Sequence, residues 1–362
     1  MAQEIVFLAS ATHQSIIKVV SLGVIGFFVA FLIAKYFTIP FLYRYKFWRK
    51  QVREKSLDNK PLEVFKKFHS EGEVKTPRGA GIIFWLTMLL VSGFIWIMSY
   101  FDVGFFPKLE FVSRSQTWLL FAGLFFGSLI GFLDDVLQIR GVGRLSEGLS
   151  VKLRIGLVSL FGIVGGWWFF EKLNYSTIFI PFIGDVFVGW LLIPIFLMAT
   201  LFSYVGGVID GIDGLGGGSF GFIIAAFAGI ALIQGQIDLA AFLAVLFGSI
   251  LAFLWFNIPP AKFYMGETGS MGLTIVIAVS AFLTDSAGLL PIIGILLLVE
   301  GGSVVLQILS RKIRKKKIWL AAPLHLHLEA KGWLPHQITM RFWLIGLVFG
   351  LLGIAIKSLS LI

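Results

Sequence analysis

Five carboxylates in three short motifs are where this sequence can do chemistry. Asp134 and Asp135 close Gly131-Phe-Leu-Asp-Asp135, Asp210 and Asp213 stand in Ile209-Asp-Gly-Ile-Asp-Gly-Leu215, and Glu267 lies in Tyr264-Met-Gly-Glu-Thr-Gly-Ser270. The chain has 20 Asp and Glu in all, and five held together would repel one another unless a cation or basic groups neutralise them. Carboxylate oxygens suit a hard divalent ion, and magnesium, which keeps several waters and bridges to phosphates, is the expected one. An Asp-Asp pair alone reads as a solvated helix end. Three such motifs at the ends of apolar runs, all on one side, read as a phosphate-and-metal site.

A substrate with two or three phosphates needs further positive charge. Lys152 and Arg154 are the best-placed donors, with Lys75, Arg78 and Lys262 behind them, although all five also suit ordinary anchoring of a membrane protein. His325 and His327 stand in Ala322-Pro-Leu-His-Leu-His-Leu-Glu329. Spacing of two puts both on one side only in an extended segment, which Pro323 favours over a helix. Either histidine can donate to a phosphate or carry a proton near neutral pH. His13 and His336 have no motif company, and His69 lies seven residues before Thr76-Pro77-Arg78. The glycines of 211–218 allow close backbone approach but lack the Gly-Lys-Ser/Thr ending of a P-loop, and packing of a membrane helix explains them equally well.

The elements that must position these residues follow from composition. The 362 residues are 57% hydrophobic and 14% charged, with mean hydropathy +0.91, too apolar for a soluble domain. Runs long enough for a bilayer, about 20 residues each, occur near 15–42, 80–101, 117–134, 151–170, 187–207, 217–235, 238–256, 268–284, 287–309 and 338–359. They must be helical, because an open sheet edge in lipid leaves backbone groups unpaired. The expected fold is an all-α polytopic membrane protein of about ten spans, one domain over 1–362. A small hairpin outside the bilayer is expected over Tyr175–Val188, where β-branched and aromatic residues flank Pro181, Gly184 and Asp185. No fixed-period repeat or matched pair of broken helices is visible. No basic segment precedes the first apolar run and no small-residue cleavage site follows it at the usual distance, so that run is expected to remain in the mature protein.

Loop charge sets orientation. Arg44–Arg78 carries 11 Lys or Arg against 5 acids, Arg140–Arg154 is basic, and Arg311–Lys317 packs six basic residues into seven positions. An even number of spans separates these loops, so all three face the cytoplasm, with the acidic motifs beside them and both termini and the hairpin outside. The net charge of +10 lacks the aromatic interleaving of a nucleic-acid surface, so anionic lipids and phosphorylated substrates are the expected partners. The absence of cysteine excludes disulfides and thiolate metal sites.

In order along nearly the whole chain, Lys75-Thr-Pro-Arg-Gly-Ala-Gly81, Gly131-Phe-Leu-Asp-Asp135, Gly148-Leu-Ser150, Asp210-Gly-Ile-Asp-Gly-Leu215, Phe253-Leu-Trp-Phe-Asn257, Met265-Gly-Glu267, His325-Leu-His327, Lys331-Gly-Trp333 and Arg341-Phe-Trp343 resemble the polyprenyl-phosphate N-acetylhexosamine-1-phosphate transferases. The tail from Lys331 resembles the muramoyl-pentapeptide branch, whereas Thr76-Pro77-Arg78-Gly79 and Pro260-Ala261-Lys262 resemble the branch that transfers N-acetylglucosamine phosphate. Four positions depart from the family pattern: Glu267 for aspartate, Gly207 for asparagine, Gln138 for lysine and Leu326 for the central one of three histidines.

The resemblance implies a bacterial inner-membrane enzyme with a cytoplasmic site. It would pass phospho-MurNAc-pentapeptide from UDP-MurNAc-pentapeptide to undecaprenyl phosphate with Mg2+, giving lipid I and UMP in peptidoglycan synthesis, with a homodimer left open. The implied catalytic residues are Asp134, Asp135 and Glu267. Metal ligands would come from Glu267, Asp213 and Asp135, and substrate contacts from Asp210, Asp213, Tyr264, Asn257, Lys75, Lys152, Arg154, His325 and His327. The alternatives are transfer from UDP-GlcNAc or another UDP-HexNAc, a lipid or nucleotide-sugar transporter, and a non-catalytic scaffold. Spans nearly free of ionisable residues at mid-depth, with Lys35 and Glu300 the exceptions, argue against the transporter.

Overall fold

Backbone that cannot bond to water must bond to itself, and the apolar runs accordingly fold as helices. The computed structural model describes residues 2–50, 74–140 and 148–361. Its principal helices are α1 (Ala2–Leu32), α2 (Ile82–Tyr100), α3 (Trp118–Arg140), α4 (Val151–Trp167), α5 (Leu192–Gly206), α6 (Leu215–Ile233), α7 (Ile237–Asn257), α8 (Gly266–Leu283), α9 (Ile295–Ile313), the short α10 (Leu324–Ala330) and α11 (Pro335–Leu359). Among the described residues nine helices are long and apolar enough to cross a membrane, or ten when the bent pair Ala287–Ile293 and Ile295–Ile313 counts as one span. The charges of 51–73, His69 and Arg144, on which part of the orientation argument rests, lie outside the described residues.

The bent pair corrects the expectation of one continuous span over 287–309. The helix breaks at Gly294, whose φ of −93° and ψ of 28° leave helical geometry, and the axis turns by 80°. Hydropathy runs unbroken through this point, but glycine holds a helix weakly. The expected hairpin forms, with β1 (Thr177–Ile180) antiparallel to β2 (Gly184–Phe187) and Ile178 opposite Val186.

Ion pairs fix which parts of the chain share an end of the bundle. Lys18 of α1 lies 3.1 Å from Asp238 at the start of α7. Lys357 of α11 bonds the Asp285 carbonyl just past α8 at 2.7 Å, and Asp285 in turn accepts from the backbone of Phe179 in β1. Asn257 and Glu267 sit at the other ends of α7 and α8. The Lys18 part of α1 and the Lys357 end of α11 therefore lie at the hairpin end of the bundle, opposite the carboxylate motifs.

Close approach of α3 and α8 carries Asp134 and Asp135 to the start of α8. A Cβ on Gly127 would lie 2.7 Å from the Met271 carbonyl oxygen, and one on Gly131 would overlap the Glu267 backbone. Only glycine lets the two backbones touch there. Of the 18 residues of α8, 89% are buried among neighbouring elements, so its first turn starts from a fixed position.

Candidate active site

The site begins where α3 meets the first turn of α8. A helix start leaves backbone N–H groups without partners, and here Asp135, fully buried, takes them. Its Oδ1 accepts from Glu267 N at 3.2 Å, and its Oδ2 from Thr268 N at 3.0 Å and Thr268 Oγ1 at 2.7 Å. Asp135 thus caps α8 from a neighbouring helix and fixes the backbone of Glu267. Gly266, at φ +72°, passes so close that a Cβ would strike the Asp135 carboxylate.

Asp134, one residue earlier, faces a different set of donors. Its Oδ1 accepts from Leu149 N at 2.5 Å and its Oδ2 from Gln138 Nε2 at 2.6 Å. Arg154 Nη1 lies 3.5 Å from Asp134 Oδ2 and 2.7 Å from Glu267 Oε1, so one guanidinium bridges two motifs. α4 is positioned for this by Ser150, whose hydroxyl accepts from Leu153 N at 3.3 Å as an N-cap. The Arg154 Nε is buried without a hydrogen-bond partner, a donor suited to a phosphate oxygen.

The third motif occupies the turn between α5 and α6. Asn257 spans it from beneath, accepting from Gly214 N and donating to the Phe263 carbonyl, both at 2.9 Å. Trp343 of α11 donates to the Gly214 carbonyl at 3.1 Å, and Asp213 Oδ2 accepts from Ala261 N at 3.1 Å. Burial pushes the Asp210 carboxyl up to about 7; the Arg78 guanidinium opposes the rise, while Glu267, Asp135 and Asp213 add to it. The carboxylates of all three motifs are therefore electrostatic neighbours. Tyr264 lies beside them with Arg78 5.9 Å from its ring, and burial, with Asp213 next, raises its hydroxyl pKa.

His325 and His327 correct the extended reading. Pro323 is the N-cap of α10, not the breaker of a loop, so residues two apart diverge by about 200°. His325 turns inward, 1% exposed, with its N–H on Glu300 Oε1 at 3.0 Å and its Nδ1 2.8 Å from Glu300 Oε2. With Nδ1 held by that carboxylate, Nε2 is the nitrogen presented to Gly211, so near that a Cβ there would overlap the ring. His327 instead accepts at Nδ1 from Leu320 N at 3.2 Å, and burial followed by Lys331 lowers its pKa.

Asp134, Asp135, Arg154 and Glu267 are thus joined by direct bonds, with Asp210 and Asp213 close enough to be felt. Asn257 has both amide ends on backbone, and Lys75 and Lys152 are exposed. Sequence reasoning missed Glu300 as the partner of His325, Thr268 as the partner of Asp135, and the weight of Arg78. Only Glu300 left a signal, as an acid inside an apolar run. Among the described residues no three carboxylate or histidine side chains form a ready-made ion cage. Magnesium needs only one or two carboxylates when phosphates complete its shell. Glu267, 30% exposed and bonded to Arg154 through Oε1, and the half-buried Asp213 are the carboxylates of the cluster that such an ion would use.

The chain matches the model of glycosyl transferase family 4 over residues 117–285. It is 33% identical to the phospho-N-acetylmuramoyl-pentapeptide-transferase of Geobacillus thermodenitrificans, over 92% of this chain and 96% of that one. It is also 33% identical to the same-named protein of Bacillus subtilis, over 92% and 95%, and 34% identical to that of Bartonella quintana, over 78% and 80%.

Proposed function

Because the chain belongs to the phospho-N-acetylmuramoyl-pentapeptide-transferase family, we propose that it transfers phospho-MurNAc-pentapeptide from UDP-MurNAc-pentapeptide to undecaprenyl phosphate, giving lipid I and UMP in peptidoglycan synthesis. The observation that carries this reading is the bonded cluster of Asp134, Arg154 and Glu267 at helix ends, where a bilayer substrate and a soluble one can meet. The enzyme is a multi-pass membrane protein. The inner membrane is its proposed home, with the carboxylate end facing the cytoplasm, as the basic loops favour.

In the reaction an oxygen of the lipid phosphate forms a bond to the sugar-bearing phosphorus of the nucleotide, and the bond from that phosphorus to UMP breaks. Such transfers depend chiefly on alignment and charge neutralisation. Glu267 and Asp213 would hold magnesium, which when bound offsets the charge of the diphosphate. Arg154, with a donor to spare, binds a phosphate oxygen. Asp134 orients the lipid phosphate and accepts its proton, while Asp135 acts by holding Glu267. His325, aimed by Glu300, presents Nε2 to the substrate beside Gly211, and Asp210 and Tyr264 face the nucleotide.

The test is to incubate purified protein with both substrates and magnesium and to follow UMP and lipid-extractable sugar. Both should form, and chelation of the metal should stop both. Movement of labelled substrate across vesicles without UMP release would identify a transporter instead.

A further inference from the structure

Asp134 is also held from a side that the transfer does not use. Gln138, four residues on and therefore on the same face of α3, donates through Nε2 to Asp134 Oδ2 at 2.6 Å. The other end of that amide, Oε1, accepts from Arg49 Nη2. Arg49 and Gln138 are each 6% exposed, and Arg49 comes from a segment far away in sequence. That segment is anchored beside it by Phe47, which stacks on Phe132 of α3 with ring centres 6.3 Å apart and accepts at its carbonyl from Arg78 N at 2.7 Å. Gly148, at φ +80°, closes the other side: a Cβ there would lie 2.8 Å from Gln138 Cγ and would overlap Asp134 Oδ1.

We infer that Arg49 and Gln138 form a strap that holds Asp134 in its working orientation, which makes Arg49 a positioning residue for the transfer. The physical basis is the polarity of an amide. A guanidinium can only donate, so Arg49 must face the oxygen of Gln138, and the NH2 end is thereby turned to the Asp134 carboxylate. Without that constraint the amide can present its oxygen to a carboxylate instead. Positive charge from the segment after α1 thus reaches Asp134 through one neutral side chain, leaving Arg154 to the substrate.

The inference rests on the role given above to Asp134, and the experiment separates the two. Arg49→Met, Gln138→Leu, the double variant and Asp134→Asn are assayed for UMP release across pH, with melting temperature in detergent as a check on folding. Each strap variant should lower kcat by about tenfold to a hundredfold, the cost of a hydrogen bond to a charged group, with the KM for the nucleotide sugar unchanged. The double variant should be no worse than the poorer single one, because the two residues act as one unit. Arg49→Lys should recover part of the loss. Gln138→Glu should favour acid pH, because its carboxyl donates to Asp134 only when protonated. Wild-type kcat in Arg49→Met and Gln138→Leu, or additive losses in the double variant, beside an inactive Asp134→Asn, would overturn the strap alone. An active Asp134→Asn would overturn the role on which it rests. If Arg49→Met does not fold, Gln138→Leu and the pH profile of Gln138→Glu carry the test.

Discussion

Residue chemistry turns on how few groups stand between neighbouring charges. Asp210 holds its proton up to about 7, mainly because it is buried and then because Glu267, Asp135 and Asp213 surround it, against the pull of Arg78. An unfolded aspartate releases its proton near 3.9, so between about pH 4 and 7 the folded chain binds a proton that the unfolded chain has lost. Stability from this residue is thus complete below about pH 4 and falls as pH rises towards 7. Melting in detergent should show Asp210→Asn losing less stability than wild type over that window, and Arg78→Gln, lacking the charge that opposes the rise, should shift that loss to higher pH. The Glu300 and His325 pair predicts a second effect. Glu300→Ala removes the bond that aims the ring and the one that holds the His325 backbone N–H, so kcat for UMP release should fall about tenfold or more, while the equivalent change at the outward-facing His327 costs less.

Residue types were legible here, and partnerships were not. The acids of all three motifs could be picked out because charges are rare in such a chain. Glu300 stood out as an anomaly, but its partner lies 25 residues away, beyond any spacing rule. His325 and His327 looked like a matched pair until Pro323 proved to start a helix, which sends them to different neighbours.

At the scale of elements, the site is a consequence of how α3 meets α8. Gly127 and Gly131 remove the side chains that would separate the helices, and Asp135 then caps α8 so that Glu267 emerges beside Arg154. Gly127→Leu should push the helices apart and abolish UMP release even though it touches no acidic residue. Asp135→Asn keeps one acceptor oxygen and should cost about 1 kcal/mol in stability, the usual worth of a helix cap, read as a lower melting temperature. The helices themselves were readable from apolar run length, and the hairpin from its alternation. The break at Gly294 was not, because hydropathy is continuous across it, and the capping duty of Asp135 depends on a contact between helices that no local pattern records.

Across the whole molecule, the two ends of the bundle divide the work. Lys18 with Asp238 and Lys357 with Asp285 tie down the end that carries the hairpin, and the carboxylates gather at the other. A protein built this way brings a lipid phosphate and a soluble nucleotide sugar to the same plane, and its choice of sugar is what the central claim stands on. The most direct measurement uses purified protein, undecaprenyl phosphate and magnesium with either UDP-MurNAc-pentapeptide or UDP-GlcNAc, and follows UMP release. Release with the muramoyl-pentapeptide nucleotide alone is the predicted result; release with UDP-GlcNAc alone, or with neither, would contradict it.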